Sequence, residues 1–208
     1  ADRPHHHGAW SVLMLVNLRR SFIISLVFLA VLGLAYPFAG TGFSMLFFKH
    51  QAEGSLITDG PKVVGSTLIG QAWPGPKWFQ GRPDGNVLTN KPGQVVVSGT
   101  EQLGPRSKAL EQFVAQQAAR LKKEGIIPTA DLVTTSGSLV DPDISQADAD
   151  TQVPAVARAN HLPAAELYRL VASQLHGREL GFLGAPYVDV LDLNLALARL
   201  QPAPITGG

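Results

Sequence analysis

Gly65-Ser-Thr-Leu-Ile-Gly70 carries two glycines at the interval of a phosphate-cradling loop. Gln71 and Ala72 stand where such a loop needs a lysine for the β- and γ-phosphates and a Ser or Thr for Mg²⁺, so the stretch reads as a turn. Ser136-Gly137-Ser138 lacks the preceding glycine of a nucleophile elbow. His5–His7 are metal-ligand types without partner ligands, and a solvated tail or cloning remnant is the simpler account. His161 and His176 are isolated and read as surface residues. Asp141, Asp143, Asp148 and Asp150 cluster without the glycine and closing glutamate of a calcium loop. The alternative to a weak calcium site is that Asp148 is used as a helix cap. Trp73, Trp78 and Phe79 beside Arg82 and Asp84 offer ring faces to a ligand such as a sugar; the same rings equally fill a small core. Sequence cannot place two carboxylates across a cleft as a glycosidase requires, and no catalytic constellation emerges.

These residues sit in a chain of 208 residues, enough for one real core and a small extra element. A net charge of +1 gives no footprint for nucleic acid. Only 16% of residues are charged and mean hydropathy is +0.11, both pointing to membrane association. Without cysteine there is no disulfide framework, thiolate-bound zinc or thiol nucleophile.

Ser21–Phe48 contains no charge, and a membrane helix needs about 20 such residues. Gly33 and Pro37 lie within it and are tolerated there. Arg19 and Arg20 followed by Gly33-Leu34-Ala35 also suit a cleaved signal peptide, but signal cores run about 7–15 residues, so an uncleaved anchor is expected. Ala30, Gly33 and Ala35 either admit a neighbouring helix or are ordinary membrane-helix residues. Arg3, Arg19 and Arg20 place the N-terminus in the cytosol by the positive-inside rule. The expected layout is a short cytosolic tail (1–20), a transmembrane helix with its outer end (21–48) and a single extracytoplasmic α+β domain (49–208).

In that domain Gly54–Ile57 and Lys62–Gly65 read as strands joined at Asp59-Gly60-Pro61, and Val95–Val97 as a further strand. Ser107–Gly125 reads as a helix with Ser107 as N-cap and Gly125 as C-cap. Ser145 and Asp148 form a capping box for a helix to about Asn160, with a kink expected at Pro154. Pro163 starts the next helix, with an apolar face of Leu167, Leu170, Val171 and Leu175. A turn between Gly177 and Gly184, a strand at Tyr187–Val190 and a helix at Leu191–Leu200 follow. The order is neither clean βαβ nor all-β, hence α+β.

A set of motifs in order carries a resemblance: Tyr36-Pro37; Gly54–Ile57; Gly65-Ser66; Leu68–Gln71; Phe79; Gly81-Arg82-Pro83; Ser98-Gly99; Leu103-Gly104-Pro105; Asp131–Ser138; Asp141-Pro142; Ile144-Ser145; Gln152-Val153-Pro154; Gly177-Arg178; Gly181; Gly184; and Leu191–Leu197. On these the chain resembles the C subunit of the Kdp potassium-transporting ATPase across nearly all residues after about 20. It departs from the family pattern at Trp73 (usually Phe), Asp84 (Ser), Thr100–Gln102 (a small Gly-Ser-Asn loop), Leu139 (Gly) and Asp189 (Asn). The resemblance implies a non-catalytic accessory subunit of a high-affinity potassium import complex in the plasma (inner) membrane, in contact with lipid and needed for assembly. It also implies a catalytic-chaperone role in raising the pump's ATP affinity. The implied partners are a channel-like potassium-binding subunit, a P-type ATPase subunit and a very small membrane subunit. ATP is then hydrolysed, and potassium carried, by those partners, and no cofactor is expected on this chain. Tyr36, Pro37, Gln71, Phe79, Arg82, Pro83, Arg178 and Asn194 become candidate partner contacts, with Gln71 and Arg82 facing the channel-like subunit near the ion entrance. A membrane-anchored envelope glycan-binding protein or hydrolase is the alternative.

Overall fold

A computed structural model describes residues 7–84, 97–99 and 103–200, which fall in two compact units, Ala1–Gly54 and Ser55–Gly208. The first unit is helical: α1 (His7–Ala30), a π-helical turn (Val31–Ala35), α2 (Tyr36–Phe47) and the short α3 (Lys49–Ala52). Pro37 explains the π turn. It has no N–H to donate, and its ring crowds the carbonyl four residues earlier, at Gly33. Widening the preceding turn makes room, so that the Tyr36 N–H bonds to the Val31 carbonyl, five residues back. Among the described residues, Leu13–Phe47 forms one helix of 35 residues whose most apolar stretch has a mean hydropathy of 2.3, long and apolar enough to cross a membrane. None of its most apolar stretch is buried within this chain. From Arg20 to Phe47 the axis runs about 40 Å, close to a bilayer with its headgroups. The helix ends at Phe48 (φ −134°), where the rings of Phe43, Phe47 and Phe48 gather at 4.7 and 6.1 Å.

The second unit mixes helices and strands. An antiparallel hairpin pairs β1 (Leu56–Asp59) with β2 (Lys62–Ser66), with a bulge between Ile57 and Thr58 and Gly60 in the turn at φ +60°. Three short antiparallel strands form a second sheet: β3 (Asp143–Ile144), β4 (Leu175–His176) and the central β5 (Tyr187–Asp189). The helices are α4 (Lys108–Glu124), α5 (Ala130–Val133), α6 (Gln146–Asn160), α7 (Ala164–Ser173) and α8 (Val190–Leu200).

The α6 start follows its sequence signal. Ser145 Oγ accepts from the Asp148 N–H, and Asp148 Oδ2 accepts from the Ser145 N–H, both at 3.1 Å. The helix continues through Pro154, whose position is exposed. Val153, Val156 and Ala157 of α6 join Phe79, Leu167, Val171, Val188, Leu193 and Leu197 in the main core. Ala155 turns to a second cluster of Leu121, Ile126, Leu132 and Val133. Gly125 closes α4 in the left-handed region (φ +78°).

Two local expectations change. Ser107 occupies the N-cap position of α4 but makes no side-chain cap bond. Leu175 is not on the helical face: α7 ends at Ser173, where the chain switches to β4 and pairs Leu175 with Val188. Most of the Val95–Val97 strand lies outside the described residues.

Candidate functional site

The Gly65–Asp84 stretch contains almost no regular structure after β2, yet its backbone groups are paired by side chains from distant helices. Asn194 on α8 accepts from the Phe79 N–H and donates to the Phe79 carbonyl, both at 2.9 Å. Gln152 on α6 does the same for Gln80, at 2.8 and 3.0 Å. Each carboxamide thus copies the two-bond pairing of a neighbouring antiparallel strand. Asn160 at the end of α6 donates to the Lys77 carbonyl at 2.7 Å, and the Gln80 amide closes the loop internally on the Trp73 carbonyl at 2.6 Å. The loop packs Phe79 at zero exposure, with Trp73 and Trp78 half-buried against the same core and their rings 5.3 Å apart.

Gly65 also has a packing reason. A Cβ there would overlap the Gln71 carboxamide, which lies on the glycine, donating to the Val64 carbonyl at 3.1 Å and accepting from the Ser66 N–H at 3.3 Å. The glycine spacing that resembles a phosphate loop serves a side chain.

The loop's far end is anchored by charge. Arg82 donates to Asp131 Oδ1 (3.2 Å), Thr134 Oγ1 (3.3 Å) and the Thr135 carbonyl (3.0 Å), with Asp141 at 4.0 Å. Asp84, fully buried, accepts from the Ser136 N–H and hydroxyl, each at 2.7 Å, and from the Asp141 N–H at 3.2 Å. Burial pushes the Asp131 carboxyl above its ordinary value while Arg82 pulls it down; the charges of Asp148 and Asp141 add to the rise.

A second carboxylate group lies across the three-stranded sheet. Asp143 and Asp189 are paired opposite one another on β3 and β5. Burial first, then the charges of Asp189 and Asp141, raise Asp143 to about 6, with His176 opposing. Asp189 is raised as well, mainly by burial. Among the described residues no group of three or more His, Asp or Glu is arranged to hold a metal.

Two adjoining cavities flank the loop. One of about 590 Å³ is lined by Trp73, Pro74, Pro76, Arg120 and Glu124. The other, of about 180 Å³, is lined by Trp78, Ile126, Val156 and Arg158. Arg120 and Glu124 are engaged with each other at 3.2 Å.

The candidate contacts therefore fall in three places. Gln71, Phe79, Arg82 and Pro83 belong to the pinned loop, and Asn194 on α8 holds it; Phe79, Pro83 and Asn194 are buried and Arg82 is 19% exposed. Tyr36, 72% exposed, and Pro37 lie on the membrane helix beside the π turn. Arg178 opens an exposed turn. Sequence reading missed Gln152, whose role depends on a partner 72 residues away, and it passed over what the Arg178–Gly184 turn displays. Leu180 (φ +52°) and Gly181 (φ +83°) are successive left-handed residues, closed by Gly181 N–H to the Arg178 carbonyl and Leu183 N–H to the Glu179 carbonyl. For a leucine that backbone costs about 1–2 kcal/mol.

Comparison with known proteins covers both units. The family model "KdpC: K+-transporting ATPase, c chain" matches residues 18–199. The chain is 45% identical over 198 residues to the potassium-transporting ATPase KdpC subunit of Bradyrhizobium diazoefficiens, covering 89% of this chain and 98% of that protein. It is 44% identical over 198 residues to the KdpC subunit of Methylobacterium nodulans (90% and 98% covered) and 45% over 188 residues to that of Sorangium cellulosum (88% and 98%). A match that takes in the membrane helix, the pinned loop and α8 together shows that the chain belongs to the KdpC family, the non-catalytic c chain of the K+-transporting ATPase.

Proposed function

We propose that this chain is the accessory subunit of an ATP-driven potassium importer, anchored by its single helix with residues 49–208 on the outer side of the plasma membrane. The observation that supports this reading most is the family match across residues 18–199. In it, a channel-like subunit carries potassium, a P-type subunit hydrolyses ATP, and a very small membrane subunit completes the assembly. The outward orientation rests on Arg19 and Arg20 at one end of the uncharged span. It places the outer unit away from cytosolic ATP, so the chain raises the pump's ATP affinity indirectly. The effect requires contacts that differ between pump states. Tyr36 and Pro37 serve as contacts within the membrane and Arg178 as one outside it. Gln71 and Arg82 present the loop toward the channel-like subunit near the ion entrance, while Phe79, Pro83 and Asn194 hold its shape.

The deciding experiment is purification from membranes through a tag on this chain. Recovery of a P-type ATPase supports the reading; a solitary chain refutes it. Protease applied to the outer face should trim the chain after Phe48, and protection there reverses the orientation. Arg82→Ala that leaves assembly and transport intact removes the role given to Arg82.

A further inference from the structure

The three-stranded sheet sorts its side chains by face. Val188 at the centre is buried, with Ile144 on β3 and Leu175 on β4 opposite it, and alternation puts these three toward the main core. The other face carries only groups that take or give a proton: Asp143 opposite Asp189, and His176 opposite Tyr187, with the last two rings stacked at 4.9 Å. Like charges directly opposite one another on a ladder repel. Asp189 is buried and Asp143 half-buried, so solvent screens them poorly. One proton held between them removes the repulsion and turns one carboxyl into a donor to the other. Asp143 is the one raised to about 6, by burial first and then by Asp189 and Asp141.

Asp189 has a second task. Its Oδ1 accepts from the Asp192 N–H at 2.9 Å, capping the first turn of α8. The same helix carries Asn194, which holds both backbone groups of Phe79. A path of bonded groups therefore runs from the carboxylate pair through the helix cap to the pinned loop. The surrounding charges come from every element packed on the sheet. On β3, Asp141 accepts from the Asp143 N–H at 3.1 Å. On β4, His176 opposes the rise of both carboxyls, and on α8 Asp192 adds to that of Asp189, with Arg199 in the last turn. Glu179 in the β4–β5 turn bears on Tyr187, with Arg178 next to it in sequence. From α6, which packs against β5, come Asp148, bonded to Ser145, together with Asp150 and Arg158.

We propose that Asp143 and Asp189 share one proton and form an acid-closed clasp: with the proton in place β3 is drawn onto β5 and Asp189 is left to cap α8, and its loss as pH rises loosens the cap and, through Asn194, the loop at Phe79. The clasp is a property of this chain alone and holds whichever partners it has and whichever side of the membrane the domain faces. The test is hydrogen exchange on the full chain in detergent, read as protection factors so that the intrinsic pH dependence of exchange drops out. Asp143 binds its proton more tightly folded, at about 6 against an ordinary 3.8, so the stabilisation is present in acid and lost as pH rises. Protection at the Asp192 and Phe79 N–H groups should therefore fall about tenfold between about pH 5 and pH 7.5, while the Leu121 N–H of α4, in the second cluster, changes little. Asp143→Asn should abolish the fall. Asp189→Asn, which keeps an oxygen for the Asp192 N–H, should shrink it, and His176→Ala should move it to higher pH by removing the opposing charge. Wild-type protection that stays flat, a fall that stops at Asp192 without reaching Phe79, or an equal fall at Leu121 would each overturn the clasp. So would an undiminished fall in Asp189→Asn, which decides the matter even where Asp143→Asn does not fold.

Discussion

Asn194→Leu removes a carboxamide from a fully buried site at similar volume. The Phe79 N–H and carbonyl, both bonded to Asn194 at 2.9 Å, would lose their partner where exposure is zero. A buried polar group left unpaired costs about 1–3 kcal/mol, so the two together should cost about 4 kcal/mol. For a unit of this size each kcal/mol lowers Tm by about 2–4 °C, giving a fall of roughly 8–16 °C. Asn194→Asp sharpens the test. One carboxylate oxygen still accepts from the Phe79 N–H, but the other faces the Phe79 carbonyl unless it is protonated. Its folded pKa should lie above the unfolded value of about 3.9, so its stabilising contribution is present in acid and lost as pH rises. The assay is thermal unfolding of the full chain in detergent, followed by tryptophan fluorescence, since Trp73 and Trp78 sit in the loop. A shift under about 2 °C for Asn194→Leu, or an Asn194→Asp deficit that does not grow with pH, would refute the argument that these amides hold the loop.

Asp143, at about 6 in the fold against an ordinary 3.8, binds its proton more tightly when folded. Its contribution is present below about pH 4 and lost as pH rises toward 6, so Asp143→Asn should flatten the Tm–pH curve in that window and raise Tm at neutrality; an unchanged curve counts against it. Gly65→Ala should cost about 1–3 kcal/mol in urea unfolding by displacing the Gln71 amide. Combined with Gln71→Ala it should cost less than the sum of the two single changes. Ser145→Ala should cost about 1 kcal/mol and speed hydrogen exchange at the Asp148 N–H, its partner in the cap.

The membrane helix, the Ser145–Asp148 box and the hairpin turn were legible because each signal is local: an uncharged run, a capping pair, a Gly-Pro turn. The α7–β4 switch was not, because Leu175 continues the helical spacing of Leu167 and Val171 and is drawn off only by pairing with Val188. The pinned loop was legible as an aromatic, glycine-rich segment, but its fastening was hidden. Nothing local in α6 or α8 says that Gln152 and Asn194 pair with backbone in the 70s and 80s of the chain. The departures from the family pattern proved informative. Leu139, where glycine is typical, holds φ +58°, a backbone that glycine adopts without cost. Asp84, in place of serine, gathers three donors, and Asp189, in place of asparagine, faces Asp143.

The wide turn at Val31–Ala35 also acts on angular phase. An α-helix advances about 100° per residue, so taking one extra residue into a turn offsets all later side chains by about that angle. The stripe that Ala30 begins is not the stripe that Phe43 continues. One straight run of sequence thus presents two unrelated faces at two depths of the bilayer, and neighbours above and below the turn meet different azimuths of the same rod. A residue deleted from the turn would be absorbed as the wide turn closes to a regular one, leaving both faces where they are, whereas a residue deleted elsewhere in the helix would swing the later face by about 100° against whatever it packs on.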